Sequence, residues 1–338
     1  MLPALHLQEC PHMQRIFLAF SVGFVVSLAA ICNAGAAQSN AKGVEITETD
    51  KGVRITIDGN LLTEYICRGL SRPALYPLLG PGQVPMTRAW PFESPPDEEH
   101  DHPHHLSVWF AHGDINGMDF WSQASGAGKT VHVKFLKIES GKHTGLIRTT
   151  NMLVSAQGKA IATDERTLKF YSAGPGRFFD YEVTMFASDG DLTFGDTKEG
   201  TMGVRIAESM RVMRNKKPAE GHIVLSSGAR DGDAWGKKAE WCEYHGPVNG
   251  KVVGITLFDH PENLRHPTTW HVRDYGLLAA NPFGLHEFEK APEGAGKYTL
   301  PKGKSLKFRY RIYLHEGDEK SAGVQKRWEE YKAGKEPK

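Results

Sequence analysis

From Val44 to Ile57 the chain reads VEITETDKGVRITI, with apolar and polar residues alternating on both sides of Asp50-Lys51-Gly52. Period-two alternation across a turn triplet is the signature of a β-hairpin. The same rhythm returns at TVHVKFLKIES, GLIRTTNMLVS, RTLKFYS, FFDYEVTMFAS, KVVGITLF and SLKFRYRIYLHEG. The 36 glycines and 19 prolines supply turns between these runs. Long helical periodicity is nearly absent. The pattern predicts an all-β chain built as a large antiparallel β-sandwich, not a set of βαβ units.

One helix is expected. EKSAGVQKRWEEYKAG places Val324, Trp328 and Tyr331 four and three residues apart with charges between them. That spacing predicts an amphipathic C-terminal helix laid on the sandwich, followed by a frayed tail over 335–338. At the other end, Arg15 precedes an uncharged run from Ile16 to Ile31 and then CNAGAAQS. A basic residue, an apolar stretch and a small-residue exit predict a secretory signal over 1–37. The expected product is a single exported domain, 38–334 and its tail, in the periplasm or outside the cell. No later stretch approaches the roughly 20 apolar residues of a membrane span, so no stable span is expected after signal removal. The formal net charge is +1, with acids and bases interspersed. That distribution lacks the basic stripe of a nucleic-acid partner. Cys67 and Cys242 follow the signal; an oxidising compartment permits a disulfide, and two buried thiols are the alternative. No zinc-finger spacing occurs.

Residues 101–121 read DHPHHLSVWFAHGDINGMDFW, crowding histidines, acids and large aromatics together. Pro103 cannot donate to a ladder, so it belongs at a strand start. A strand beginning after it puts Leu106, Val108 and Phe110 on one face, flanked by His104 and His112. His105, Ser107 and Trp109 then share the other. In HPTTWHVRDYGLLAANPFG the same phasing gathers Thr269, His271, Arg273 and Tyr275, with Trp270 and Val272 opposite. Two remote strands thus each present a polar face carrying histidine and an aromatic ring. Such a wall suits a sugar, whose hydroxyls need directional partners and whose C–H face stacks on aromatics. Histidine adds proton transfer near neutral pH, and Arg273 a planar donor fork for carboxylate or vicinal hydroxyls. The competing reading makes Trp109 and Trp270 core residues and the histidines buried hydrogen-bond partners; several unpaired polar rings in one place would be costly to bury.

A metal reading stands beside these. His102 and His104 are two apart and can chelate one divalent ion, of a kind the ligand types leave open. The stretch GDTKEGTMGVRIAESMRVMR offers Asp196, Glu199 and Arg205, with Glu199 a candidate base between flexible glycines. Arg72 and Arg88 are candidates for the groove rim. Asp101, Glu199 and Asp259 are carboxylates of the kind a glycosidase needs, but spacing singles out no pair. Nucleophile-elbow and phosphate-loop motifs are absent. Asp101-His102-Pro103 recurs as Asp259-His260-Pro261, suggesting that the two copies meet.

The phrases RPALYPLLGPGQVPMTRAWP, DHPHHLSVWFAHGDINGMDFW, TKEGTMGVR and FDHPENLRHPTTWHVRDYGLLAANPFG resemble the methane oxygenase PmoA family, a group of exported bacterial proteins. With LKFRYRIYLHEG they span nearly all of the expected mature chain. The resemblance points to Arg72, Arg88, His102, His104, His105, His112, Asn116, Asp119, Glu199, Asp259, His260, His271 and Arg273 as motif positions. The strand pattern is also similar to the galactose mutarotase-like supersandwich. That likeness implies sugar binding in a concave sheet and acid–base work by histidine with a carboxylate.

The expected function is therefore that of an exported carbohydrate-active enzyme, epimerase, mutarotase or lyase-like. His105 and His271 are the expected acid and base, and Glu199 a second base. Trp109, Arg273, Arg72, Arg88, His112, Asn116, Asp119, Asp259 and His260 are the expected contacts to a sugar or oligosaccharide. Non-catalytic glycan binding and a His-ligated metal oxygenase or hydrolase are the alternatives.

Overall fold

Two eight-stranded sheets carry the fold in the computed structural model, which describes residues 43–338. The signal read over 1–37 lies outside the described residues. The first sheet runs, in spatial order, Val44–Thr49, Gly52–Ile57, Asn60–Ile66, Ala74–Leu78, Val108–His112, Gly200–Arg205, Leu277–Asn281 and Thr269–Trp270. The second runs His222–Leu225, Trp241–Val248, Lys251–Asp259, Ser305–Glu316, Arg177–Phe186, Ala160–Tyr171, Thr144–Val154 and Lys129–Glu139. Every neighbouring pair in both sheets is antiparallel. The fold is thus the expected antiparallel sandwich. Inward residues of the alternating strands, among them Val53, Ile55, Val108, Phe110, Ile312 and Leu314, make one apolar core between the sheets. Each such side chain contributes about 1.5–3 kcal/mol on burial.

The helix spans Val324–Lys332. Val324, Trp328 and Tyr331 are buried with Trp241, Phe258 and Tyr313 on the outer face of the second sheet. The expected fraying of the tail does not start at once. Arg311 donates to the Lys335 carbonyl across 2.9 Å, and Glu336 pairs with Lys169. Cys67 and Cys242 are two separate buried thiols.

One phase differs from expectation. The strand holding the tryptophan begins at Val108, not directly after Pro103. Ser107 has φ 63°, a left-handed conformation that resets the alternation. Leu106 therefore joins Trp109, Ala111, Trp121, Leu277 and Ala279 in a small apolar cluster outside the main core. Val108 and Phe110 face the core, and His112 follows their phase into it. The outer cluster on the first sheet is the floor on which the site is built.

Candidate functional site

A cleft of about 540 Å³ opens over that floor, lined by His102, His104, His105, Asp119, Trp121, Lys198, Glu199, His271, Arg273 and Tyr275. Its residues come from four places. The 101–107 segment supplies three histidines, the stretch after Val108–His112 supplies Asp119 and Trp121, the turn before Gly200–Arg205 supplies Lys198 and Glu199, and the chain after Thr269–Trp270 supplies His271, Arg273 and Tyr275. His271 lies just past its strand, yet it exchanges backbone hydrogen bonds with Ala279 at 2.8 and 3.1 Å. That pairing preserves the alternation, so Trp270 and Val272 enter the core while His271, Arg273 and Tyr275 face the cleft.

Below the cleft lies a charged scaffold. Asp101 accepts from the buried guanidiniums of Arg88 and Arg205 and pairs with Nδ1 of His102 at 2.8 Å. Burial alone would raise its pKa, but the His102 hydrogen bond and the two arginines hold it well below the usual carboxylate range. Arg88 also donates to the backbone carbonyls of Trp90, Glu99, Asp101 and His102. It fixes the shape of the irregular segment, not the groove rim where it was expected. Arg72 likewise lies beneath, clamping the carbonyls of His104 and Ser122 at 3.0 and 2.9 Å. Burial brings its pKa down to about 10.

Arg205 reaches past Asp101 and donates from its second amino group to Nδ1 of His105 at 3.1 Å. An arginine only donates, so this imidazole nitrogen must carry the lone pair and the proton sits on Nε2. Burial, reinforced by the Arg205 charge, holds the His105 pKa well below the ordinary value. His271 has the opposite tautomer. Its Nδ1–H donates to the Lys198 carbonyl at 2.7 Å, which leaves a lone pair on Nε2. Burial lowers its pKa to about 4. The two residues are 1% and 2% exposed, and neither Nε2 is among the buried unpartnered polar atoms of the described residues. Each ring is therefore held in place by protein and offers one nitrogen to the cleft.

The rings form a series of near-parallel contacts. His102 stacks with Tyr275 at 5.2 Å and with His105 at 4.7 Å, and His105 stacks with Trp109 at 5.2 Å. Trp109 is fully buried under His105, so it supports the imidazole and does not form the expected sugar platform. Trp121 is buried beside it in the floor, with ring centroids 5.0 Å apart, and Tyr275 is the aromatic ring that is partly exposed at the cleft. Glu199 is partly exposed there, and burial raises its carboxyl pKa even with Lys198 at 3.9 Å. Lys198 itself pairs with Glu287 at 2.9 Å. The Arg273 guanidinium lies over the rings of Trp235 and Tyr275 at 5.9 and 5.5 Å. Among the described residues it has no carboxylate within ion-pair distance. Asp119 lines the cleft, but its oxygens accept from the Trp121 and Ser122 amides and the Ser122 hydroxyl.

Several expected contacts lie elsewhere. His112 is enclosed by Phe194 and Phe283 and bonds the Gly195 carbonyl at 2.9 Å. Asn116 caps an exposed turn against Asp191 and Thr193. Asp259 is the buried last residue of Lys251–Asp259, bonded to Asn263, His266 and the Thr268 amide of the loop that follows. His260 packs against Tyr331 of the C-terminal helix. The first Asp-His-Pro copy lies in the irregular segment before Val108–His112 and the second at the end of Lys251–Asp259, and their aspartates bond to separate sets of partners. His102 and His104 do line the cleft, with ring centroids 5.6 Å apart, edge to face. Among the described residues, no set of three metal-ligand side chains at coordination spacing includes them. Arg205, Lys198, Trp121 and Tyr275 are the participants that sequence reasoning left off its list of site residues.

No curated protein matches the chain. Solved structures similar to it include the heparan sulfate lyase HepC from Pedobacter heparinus, at 11% identity and TM-score 0.34, covering 82% of this chain and 36% of that one. A galactose mutarotase-like protein from Lactobacillus casei matches at 11% identity and TM-score 0.32, covering 81% of this chain and 100% of that one. A 4-alpha-glucanotransferase from Thermococcus litoralis matches at 10% identity and TM-score 0.33, covering 83% and 40%. The chain spans about a third of the lyase's length. Residues 52–329 match the sequence profile described as "Family of unknown function (DUF6807)", and the chain belongs to that family.

Proposed function

We propose that this protein is an exported carbohydrate-active enzyme that moves a proton on a sugar bound in the histidine-lined cleft. The observation that carries the reading is the pair of neutral imidazoles with opposite tautomers, His105 and His271, opening on one hollow. A sugar oxygen that gains negative charge during epimerisation, mutarotation or β-elimination needs a fixed donor. His105 Nε2–H is one, held neutral by burial and by Arg205. His271 Nε2 accepts from a substrate hydroxyl and orients the ring. Burial opposes protonation of both imidazoles, so neither carries the proton well. Glu199 does: its raised pKa moves the carboxyl toward the working pH, where proton transfer in both directions is efficient. The labour therefore divides as donor, acceptor and proton carrier, in place of a simple histidine acid–base pair.

Arg273, without an acidic partner among the described residues, supplies positive charge for a carboxylate or for vicinal hydroxyls. Tyr275, half-buried at the cleft, supplies apolar surface for the C–H face. A second hollow of about 570 Å³, lined by Leu70, Ser71, Leu106 and Lys129, shares Ser122 with the cleft and gives room for a further sugar unit.

The test replaces His105 and His271 singly with Ala and follows a panel of mono- and oligosaccharides by NMR. Loss of turnover in both supports the reading, and unchanged turnover in both overturns it. Non-catalytic glycan binding is favoured by the depressed histidine pKa values, which suit hydrogen bonding alone. Saturable binding by the wild type with no product from any sugar selects it.

A further inference from the structure

The outer face of the second sheet carries a polar patch far from the cleft's sheet. Strand register sets His222, His245, Gly254 and His315 side by side across four neighbouring strands. In the next row Glu243 lies beside Thr256. Gly254, having no side chain, lets the His315 imidazole and the Glu243 carboxylate lie directly over the strand. A Cβ there would collide with Cε1 of His315 and lie 2.7 Å from its Nε2 and 2.9 Å from Oε1 of Glu243. Glu319, from the loop after Ser305–Glu316, reaches the same place. Ligand atoms of Glu243, His245 and Glu319 all lie within 4.8 Å of one another.

Glu243 is the informative member. It is 0% exposed, and the basic side chains within 4 Å of its carboxylate are imidazoles, among the described residues. Nδ1 of His245 lies at 2.8 and 3.0 Å from its oxygens, and Nε2 of His315 at 3.7 Å. A buried carboxylate without a permanent cation is costly unless something else supplies positive charge. Arg230 pairs with Glu319 on the rim.

We propose that Glu243, His245 and Glu319 bind one divalent transition-metal ion, with His222 and His315 flanking it. Mixed carboxylate and imidazole donors suit zinc, manganese or iron better than calcium or magnesium, which favour all-oxygen shells. The site is separate from the cleft, so it is independent of the proposed chemistry.

The test uses the full chain without a histidine tag, stripped by chelator and titrated calorimetrically with ZnCl2 and with MnCl2. One equivalent bound, with a thermal midpoint that rises with metal, is the expected result. Glu319→Gln, at the rim, is expected to keep the metal-free midpoint and to weaken binding at least about tenfold, the least that losing even a partner outside the ligand shell typically costs. His245→Ala is expected to weaken binding likewise and, because it takes the nearest imidazole from buried Glu243, to lower the metal-free midpoint as well. The His102→Ala/His104→Ala double variant is expected to bind as the wild type does. Absence of binding by either metal at millimolar concentration overturns the proposal. So does affinity unchanged in both Glu319→Gln and His245→Ala, or lost in the His102/His104 variant.

Discussion

The Arg205 guanidinium donates to Nδ1 of His105 across 3.1 Å, and that bond leaves the ring's proton on the nitrogen facing the cleft. Across the same cleft, His271 gives its Nδ1 proton to the Lys198 carbonyl and keeps a bare Nε2. One fixed donor and one fixed acceptor are thus presented to a ligand, and burial keeps both neutral.

If His105 serves as a neutral donor, His105→Ala lowers kcat by roughly 10²- to 10³-fold, the usual cost of one preorganised donor. His105→Gln, whose amide places an N–H near the position of Nε2, retains more activity than Ala. Steady-state rates on the sugar found active in the saccharide panel check this. Equal losses in the two variants would remove the donor role.

Arg205 serves two acceptors, Asp101 and His105, through its planar fork. Lysine keeps the charge but cannot span both. Arg205→Lys should therefore destabilise the fold by about 1–3 kcal/mol, the range for leaving a buried hydrogen-bonding group unsatisfied. Urea unfolding measures it. A loss within about 0.5 kcal/mol, as for an ordinary surface change, would mean that Asp101 does not depend on Arg205.

Arg273 makes no ion pair among the described residues, so Arg273→Gln should leave stability within about 0.5 kcal/mol of wild type. Its effect should fall on binding. KM for a carboxylate-bearing sugar is expected to rise about 10- to 100-fold, from the loss of a charged hydrogen bond of about 1.5–3 kcal/mol. A neutral sugar should be affected less. A uniform change across both classes would place Arg273 outside carboxylate recognition.

Burial lowers the pKa of His112, His271 and His315 to about 4 each, against about 6.5 in an unfolded chain. Between those values the unfolded chain binds more protons, so stability rises with pH. Stability should therefore be fully present above about pH 7 and fall as pH drops from 6.5 toward 4. Denaturant midpoints at pH 7, 5.5 and 4.5 report it, and a midpoint that does not change from 7 to 4.5 would contradict the buried-neutral assignment.

Much of the sheet architecture was legible because period-two alternation has one physical cause, two faces with different surroundings. The helix was legible for the same reason at period 3.6, through Val324, Trp328 and Tyr331. The facing of His271 was legible because its pairing with Ala279 continues the alternation beyond the strand. His105 reaches the cleft by a different route from the expected one. It sits in a loop, and Ser107 resets the phase before the strand begins. Local pattern carries no record of such a reset. Nor does GTMGVR reveal that Arg205 turns beneath the cleft to meet Asp101, 104 residues away in sequence. The repeated Asp-His-Pro misled because three residues of identity say nothing about the loops that hold them. Asp259 is tied to Asn263 and His266 instead.

The most direct measurement is a long-range 1H–15N spectrum of the histidine side chains at pH 7, with and without an active saccharide. The account predicts that His105 is neutral with its proton on Nε2 and His271 neutral with its proton on Nδ1. Both should shift when the same sugar binds. A charged imidazole at either position, the same tautomer at both, or a response from only one ring would contradict it.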